Sequence, residues 1–458
     1  PGRLCVRCLT LPEYMYNEKR VLTPLKRAKE DRGKDKWEAI SWDEALDIIE
    51  EKVNWIKENW GAEAIVAFQG TGREATLYKT PLAYAALGTP NSCFPMSGDS
   101  CYGPRCSVAD FILGAGYPEL DYAAYFPDRF DDPRYEVPKY IVLWGKDPLF
   151  SNPDGFFGHT LIDLMKLGSK YIVIDPRVTW MAAHAEFHLQ LRPGTDAALA
   201  CAWLNVIISE KLYDQEFVEL WTAGIDELWE GVKDMTPAWA APICGLAEED
   251  IVGSARLYAS GNNSAIQWGL AFDQQMSAMA LNLAVCDLMA ICGNIDRPGG
   301  NILVRNSFEI NAGYASGEDF TPQSAKDRKL TIARGLGIEG GEFIAHAATD
   351  GILHCIEAGE LPNGDPYPIK MIWFQSSNSL ACAGMDAPRD YEALKSVDFI
   401  VNADPVFTPL SVAVADVLLP VAMSCERNSA RTWWTPVRTI YRAVEPAGEA
   451  RTDEQIVV

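Results

Sequence analysis

The chain is short of several things, and each shortage argues against a class of function. Basic residues are outnumbered, 40 Lys and Arg against 63 Asp and Glu, for a net charge of −23. A surface of that sign does not attract phosphate backbones or anionic lipid, which need a basic face, so nucleic acid is not an expected partner. No uninterrupted apolar run reaches the roughly 20 residues of a membrane span. The best candidate, Met276 to Gly293, carries Asn282 and Asp287 and reads as a buried helix. Histidine is scarce (His159, His184, His188, His346 and His354) and never in an H-E-x-x-H spacing, which argues against a histidine-based zinc enzyme. No G-x-G-x-x-G follows an early strand, as a nicotinamide dehydrogenase would require. Twelve cysteines in 458 residues are too sparse for a secreted disulfide scaffold and suit thiols kept reduced or used as ligands. Only one C-x-x-C occurs, Cys5-Val6-Arg7-Cys8, with no second pair to complete a zinc site. The chain begins at Pro1 with no signal-like segment, so targeting information is expected on residues outside it, and the compartment stays open between cytoplasm and export of a folded protein.

What is present is a soluble-type composition, 48% hydrophobic and 22% charged, over a length that suits two to four domains. Ser41-Trp42-Asp43-Glu44 fits a capping box and opens an amphipathic helix from about Asp43 to Trp60, with Ala45, Leu46, Ile49, Val53 and Ile56 on one face. Ala64 to Phe68 then reads as a short buried strand ending in a Gly-rich loop.

An internal repeat is the most informative pattern. Tyr140 to Gly145 is an apolar strand, followed by a polar loop, a helix over Leu161 to Leu167, and a second strand ending in Asp175-Pro176-Arg177. Lys370 to Trp373 begins the same series, through Gln375-Ser376-Ser377-Asn378-Ser379, a helix around Tyr391 to Leu394, and a strand ending in Asp404-Pro405. Trp144 to Asp175 and Trp373 to Asp404 have equal spans, so one βαβ unit is used twice. A polar loop between strand and helix presents amides to phosphate, and the acidic residue ending the next strand can bond a ribose or base edge. The repetition favours two related nucleotide sites over two merely structural units. Elsewhere, Leu191 to Asp196 is a turn feeding a helix capped by Thr195 or Asp196, Asp296 to Asn301 is a glycine-rich loop, and Ser316 to Glu342 reads as an extended surface segment.

Asp99-Ser100-Cys101-Tyr102-Gly103-Pro104-Arg105-Cys106 puts a cysteine on a Gly-Pro turn beside an arginine, whose charge favours the metal-binding thiolate. A buried structural cysteine is the alternative, as are Ser100 or Cys106 as the reactive neighbour.

Together these pieces resemble the molybdopterin oxidoreductases of the dimethyl sulfoxide reductase superfamily. Gly2 to Arg7 resembles the segment around the last ligand of a 4Fe-4S cluster, and Tyr16 to Lys26 and Trp37 to Leu46 the entry that follows it. WGKDP, IDPR, RPGTDAALA, GNIDRPGG, and ADVLLPV with Glu426-Arg427 are similar to its cofactor-binding signatures. The resemblance implies an α/β fold of two pseudo-symmetric, doubly wound nucleotide-binding domains with parallel sheets, a small N-terminal cluster-binding region, and a C-terminal barrel domain that is missing here. Implied divisions are 1–30 for the cluster region, 31–98 with 300–404 for one dinucleotide domain, 99–299 for the other, and 405–458 returning toward the cluster region. Implied cofactors are bis-(molybdopterin guanine dinucleotide) with Mo or W and a 4Fe-4S cluster. Cys101 would ligate Mo or W and Cys5 the cluster, with Arg7 between cluster and pterin. Trp144, Gly145, Asp147, Asp175, Arg177, Pro193, Gly194, Thr195, Asp196, Ser377, Asn378 and Asp404 would hold the dinucleotides, and Asp99, Tyr102 and Arg105 would serve the reaction. The missing upstream cluster cysteines imply an incomplete chain.

The CYGPR form is most similar to the branch of acetylene hydratase, pyrogallol transhydroxylase and catechol dehydroxylases. It implies two-electron oxo or hydroxyl chemistry on a small molecule, with reductive dehydroxylation of an aromatic preferred, anaerobic metabolism, and an iron-sulfur electron-transfer subunit as partner. Two other readings compete: a non-catalytic cluster-bearing scaffold of a respiratory complex, and a non-redox hydratase on the same cofactor.

Overall fold

The Ser41 hydroxyl accepts from the Glu44 amide at 3.1 Å and starts helix Trp42–Trp60, which stops at Gly61, where φ is 90°. Half of the capping box forms. The Glu44 carboxylate turns instead to the Lys26 ammonium at 2.5 Å. Ala45, Ile49, Val53 and Ile56 are the buried stripe, as their spacing predicts.

The computed structural model describes residues 6–69, 81–93, 103–114, 117–122, 133–152, 157–261, 263–304, 317–337, 349–375, 377–382, 386–431 and 438–457. They divide into two compact units, one of Pro1–Leu9 and Ser100–Asn306, the other of Thr10–Asp99 and Ser307–Val458, so the former interrupts the latter in sequence. Strands β1 (Leu25–Lys26), β2 (Glu38–Ala39), β3 (Ile65–Gln69) and β4 (Ser92–Cys93) precede the inserted unit. That unit carries β5 (Tyr117–Leu120), β6 (Tyr140–Trp144), β7 (Lys170–Ile174), β8 (Phe187–Leu189), β9 (Ser264–Trp268) and β10 (Asn301–Val304). Then follow β11 (Met371–Gln375), β12 (Phe399–Asp404) and β13 (Val417–Pro420).

In the interrupted unit the sheet order is β2-β1-β13-β12-β11-β3-β4, parallel from β13 to β4, with β1 and β2 antiparallel at one edge. The sheet therefore reaches outside residues 31–404, through Leu25–Lys26 and Val417–Pro420. Strand residues alternate between two cores. Ile65, Ala67, Met371, Trp373 and Val401 join the stripe of helix Trp42–Trp60. Val66, Phe68, Ile372, Phe374 and Ile400 join Ile352, Leu394 and Leu410 on the other face. Helices on both faces explain why these strands read as continuous apolar runs.

The inserted unit has a parallel sheet of order β8-β7-β6-β9 and a separate β5-β10 pair. The apolar stretch from Met276 is the helix Ala278–Ile291, buried along most of its length with Asn282 inside it. No helix among the described residues is long and apolar enough to cross a membrane. The polar stretch expected to be extended surface is partly folded: helices Gln323–Lys326 and Ile332–Leu336 lie within it, and Leu330 is fully buried.

The repeat is real in topology but shifted in register. Chain order runs β6, β7, β8 outward on one side and then returns to β9 on the other; β11, β12, β13 run outward likewise, with β3 across from them. Trp144 lies opposite Ile174, just before Asp175, whereas the residue just before Asp404 is Ala403, opposite Gln375. Gln375, not Trp373, thus occupies the place of Trp144. The second connection is two residues shorter and its tryptophan two residues earlier, so the offsets cancel in a simple count.

Candidate functional site

Each parallel sheet has one point where the chain reverses its direction of travel across the strands, between β6 and β9 and between β11 and β3. Ligands of open α/β sheets bind at the carboxyl ends of strands at such points. Most of the residues singled out from the sequence lie there.

Between β6 and β9 the backbones touch. Gly145 has φ 58°, its amide donates to the Ile174 carbonyl at 2.8 Å, and the Gly269 amide donates to the Trp144 carbonyl at 3.0 Å. A Cβ on Gly269 would stand 2.0 Å from the Gly145 carbonyl oxygen, a backbone atom that cannot swing aside. Gly269→Ala is expected to cost about 1–3 kcal/mol or more, read as a lower urea midpoint at unchanged slope; an unshifted midpoint would show that the strand ends can spread.

Trp144 is fully buried and its indole Nε1 donates to Asp196 Oδ1 at 2.8 Å; Gln275 Nε2 donates to the other oxygen at 3.4 Å. Asp196 opens helix Asp196–Ser209 after Thr195, the N-cap residue, whose hydroxyl bonds back to the Arg192 carbonyl at 2.7 Å instead of capping. Burial raises the Asp196 pKa and the Trp144 bond opposes it. Asp175 ends β7 and accepts from the Arg177 amide at 2.8 Å, while the Arg177 side chain stays largely exposed. Asp147 is close enough to feel both; burial is the main cause of its raised pKa. Pro193 and Gly194 form the turn, with φ 85° at Gly194. His188 bonds the Asp175 carbonyl at 2.9 Å and His184 the Trp180 carbonyl at 2.7 Å.

At the other switch point, Gln375 Nε2 donates to Asp453 Oδ1 at 2.6 Å, and Asp453 also holds the Arg427 guanidinium in a buried pair. Asp453 follows Thr452 and opens a helix, as Asp196 follows Thr195. Both strand-end donors therefore end on the aspartate of a Thr-Asp pair. The sequence carried that signal in Arg192-Pro193-Gly194-Thr195-Asp196 and Arg451-Thr452-Asp453, but Gln375 and Asp453 were not picked out. Asp404 is nearly fully buried, its one side-chain hydrogen bond among the described residues coming from the Val406 amide at 3.3 Å, and burial pushes its pKa up to about 7. Ser377 is buried, and Asn378 Oδ1 accepts from the Leu410 amide at 3.3 Å. Ser379, also not picked out, has a buried hydroxyl with no partner among the described residues; Thr160 repeats this just beyond the β6 loop. Arg20 gives one nitrogen to Glu426 and the Val421 carbonyl, while its Nε and Nη1 are buried without acceptors.

Of the residues expected to do chemistry, Cys5, Asp99, Cys101 and Tyr102 lie outside the described residues, and Arg7 is described in its backbone alone. Arg105 is buried in helix Gly103–Leu113. Its amide donates to Asp273 Oδ1 at 3.2 Å, its Nε to Oδ2 at 2.7 Å, and its guanidinium lies 5.9 Å from the Trp268 ring centre. That geometry fastens the start of the helix. No group of three or more His, Cys, Asp or Glu among the described residues is disposed to hold a metal.

A family model described as Molybdopterin oxidoreductase matches residues 20–458. Acetylene hydratase of Syntrophotalea acetylenica is 29% identical over 481 residues, covering 99% of this chain and 62% of its own. The thiosulfate reductase molybdopterin-containing subunit of Salmonella typhimurium is 28% identical over 463 residues, covering 99% and 58%. The solved structure of acetylene hydratase from Pelobacter acetylenicus aligns with a TM-score of 0.83 at 27% identity, over 100% of this chain and 63% of that one. This chain spans about three fifths of the length of these curated relatives. With a mixed α/β fold of parallel sheets and a family match over nearly its whole length, the chain belongs to the molybdopterin oxidoreductase family.

Proposed function

We propose that this chain supplies the dinucleotide-holding part of a Mo- or W-dependent catalytic subunit that acts on a small molecule. One observation carries the reading: two sheets of the same strand walk each end in a switch point with groups suited to a nucleotide.

The residues present fit a pair of pyranopterin guanine dinucleotides. The Asp404 carboxylate, buried with a single amide donor, matches the two N–H donors on a guanine edge. The Ser379 and Thr160 hydroxyls, buried without partners, can donate to phosphate oxygens. Gly145 and Gly269 let the two strand ends at this switch point pack backbone against backbone. One arm would rest on Trp144, Gly145, Asp147, Asp175, Arg177, Pro193, Gly194, Thr195 and Asp196, the other on Ser377, Asn378 and Asp404. In this arrangement Asp196 and Asp453 also fix the Trp144 and Gln375 side chains at the strand ends.

Cys101 would be the protein ligand to Mo or W, since a soft thiolate suits that metal. Arg105, fastened to Asp273, would set the helix that begins just beyond it. Asp99 and Tyr102 would hold or deliver a proton beside the ligand, and Cys5 and Arg7 would serve the 4Fe-4S cluster and the gap to the pterin. When bound, the cofactor supplies two-electron oxo or hydroxyl chemistry and the cluster passes electrons singly. The CYGPR form supports reductive dehydroxylation of an aromatic as the reaction. The similarity to acetylene hydratase supports a second reading, addition of water without net redox change. An iron-sulfur electron-transfer partner belongs to the first reading; the relative from Salmonella is itself described as one subunit.

Metal and pterin analysis of the complete protein, purified without oxygen, tests the proposal. About one Mo or W and about two guanine dinucleotides per chain are expected; iron without pterin would favour a cluster-bearing scaffold. Cys101→Ala should abolish turnover and leave the fold intact. Turnover with unchanged metal content would move the ligand assignment to Ser100 or Cys106.

A further inference from the structure

The inserted unit also holds a cavity of about 620 Å³, within the range of small-molecule sites, lined by none of the residues of its switch point. Phe217 and Trp221 of helix Gln215–Trp221, Leu228 of helix Ile225–Val232 and Ile291 of helix Ala278–Ile291 make its walls. Among the described residues, Asp287 and Asp296 are its only ionisable liners. Asp287 is the one charged residue of the buried helix Ala278–Ile291, is mostly covered, and has neither a hydrogen-bond nor an ion-pair partner among the described residues. The titratable groups near enough to interact with it are the Cys201 and Cys286 thiols, both raised by burial and therefore neutral. Burial alone sets the Asp287 pKa at about 6, so at neutral pH a carboxylate stands in an aromatic-walled cavity without a counter-charge. Buried charges are ordinarily paired. Asp296, exposed and held at φ 56°, adds a second negative charge at the rim.

We propose that this cavity binds a small organic ammonium ion, its nitrogen on Asp287 and its apolar body against Phe217, Trp221 and Leu228. An ammonium supplies the donors that Asp287 lacks, and the two aromatic faces attract a cation at short range. A neutral or anionic ligand of the same shape satisfies neither. None of these residues belongs to the groups assigned to the dinucleotides, so the inference stands or falls apart from that assignment.

Calorimetric titration of the holoenzyme with benzylammonium, benzyl alcohol and benzoate, at a pH above the titration of Asp287, tests it. Saturable binding of benzylammonium alone is expected, weakened roughly tenfold or more in Asp287→Asn, which keeps the side-chain shape. Trp221→Ala, at a position 75% exposed and so harmless to folding, should also weaken it. The Asp287→Asn enzyme should retain its turnover. Absence of saturable binding, equal binding of the three probes, or binding undiminished in both variants overturns the proposal.

Discussion

Truncating Asp273 to alanine is expected to destabilise the protein by about 3–5 kcal/mol, the usual consequence of removing one partner of a buried ion pair. Arg105 and Asp273 are 3% and 0% exposed. The variant strips the carboxylate from a guanidinium packed near Trp268 and at the same time removes the acceptor of the Arg105 amide in the first turn of helix Gly103–Leu113. For a unit of this size each kcal/mol is worth about 2–4 °C, so the inserted unit should melt roughly 6–20 °C lower by calorimetry. Replacing both partners together, Arg105→Met with Asp273→Leu, should recover most of the loss, because an apolar pair has no charge to desolvate. A single variant that melts with the parent would show that Arg105 is not fastened by Asp273. Since Cys101 stands two positions before the first residue of this helix in sequence, the same variant should also lower metal content if the proposed ligand assignment holds.

Replacing Asp404 by asparagine should stabilise the cofactor-free protein, and only at high pH. The Asp404 pKa is raised from 3.8 to about 7, so folding favours its protonated form. The resulting stability is fully present below the ordinary carboxylate pKa and is lost as pH rises through about 7. Asparagine stays neutral throughout and can still accept from the Val406 amide. Parent and variant should therefore have equal stability near the ordinary carboxylate pKa and diverge until, above pH 7, the variant leads by on the order of 4 kcal/mol. Urea midpoints of both proteins across this range give the answer, and parallel curves would show that Asp404 ionises freely. If the proposed assignment of Asp404 to a guanine edge holds, donors on that base should restore the charged carboxylate when the dinucleotide is bound and reverse the difference.

Much of this architecture could be read from local pattern. Ser41 and the stripe below it, the apolar runs of β6 and β11, and the Asn282-bearing apolar stretch all carry their periodicity within a few residues, and each formed the element its spacing predicts. Equal spans also exposed the repeated βαβ unit. What could not be read is what depends on distant partners. Register between strands is set by packing and by connection length, so two offsets that cancel in sequence hid the equivalence of Trp144 with Gln375. Arg105 looked like a reactive group on a turn because its partner, Asp273, lies 168 residues away. Glu44 had the right spacing for a capping box, but Lys26 from β1 took its carboxylate. Asp404 could be placed at a strand end, yet its burial is a property of the assembled sheet. The Thr-Asp pair is written twice in the sequence; the first copy reads as a helix cap without its tie to Trp144, and the second was not read at all.

The interruption of one unit by the other also orders events during synthesis. In the middle of the larger sheet, Ile65 lies beside Met371, about three hundred positions later. At ribosomal rates of roughly 5–20 residues per second, β3 leaves the ribosome on the order of 15–60 s before its central neighbour exists. The inserted unit pairs its strands only among themselves, β6 with β9 and β5 with β10, so all of its sheet partners have been made before β11 appears. Until β11 arrives, the apolar face of β3 and the stripe of helix Trp42–Trp60 have each other, β4 and the segment of Leu82, Ala83 and Leu87, but not Met371, Trp373 or Val401. The nascent chain is thus most exposed to aggregation midway through translation, and that is the window in which a chaperone would have to hold it.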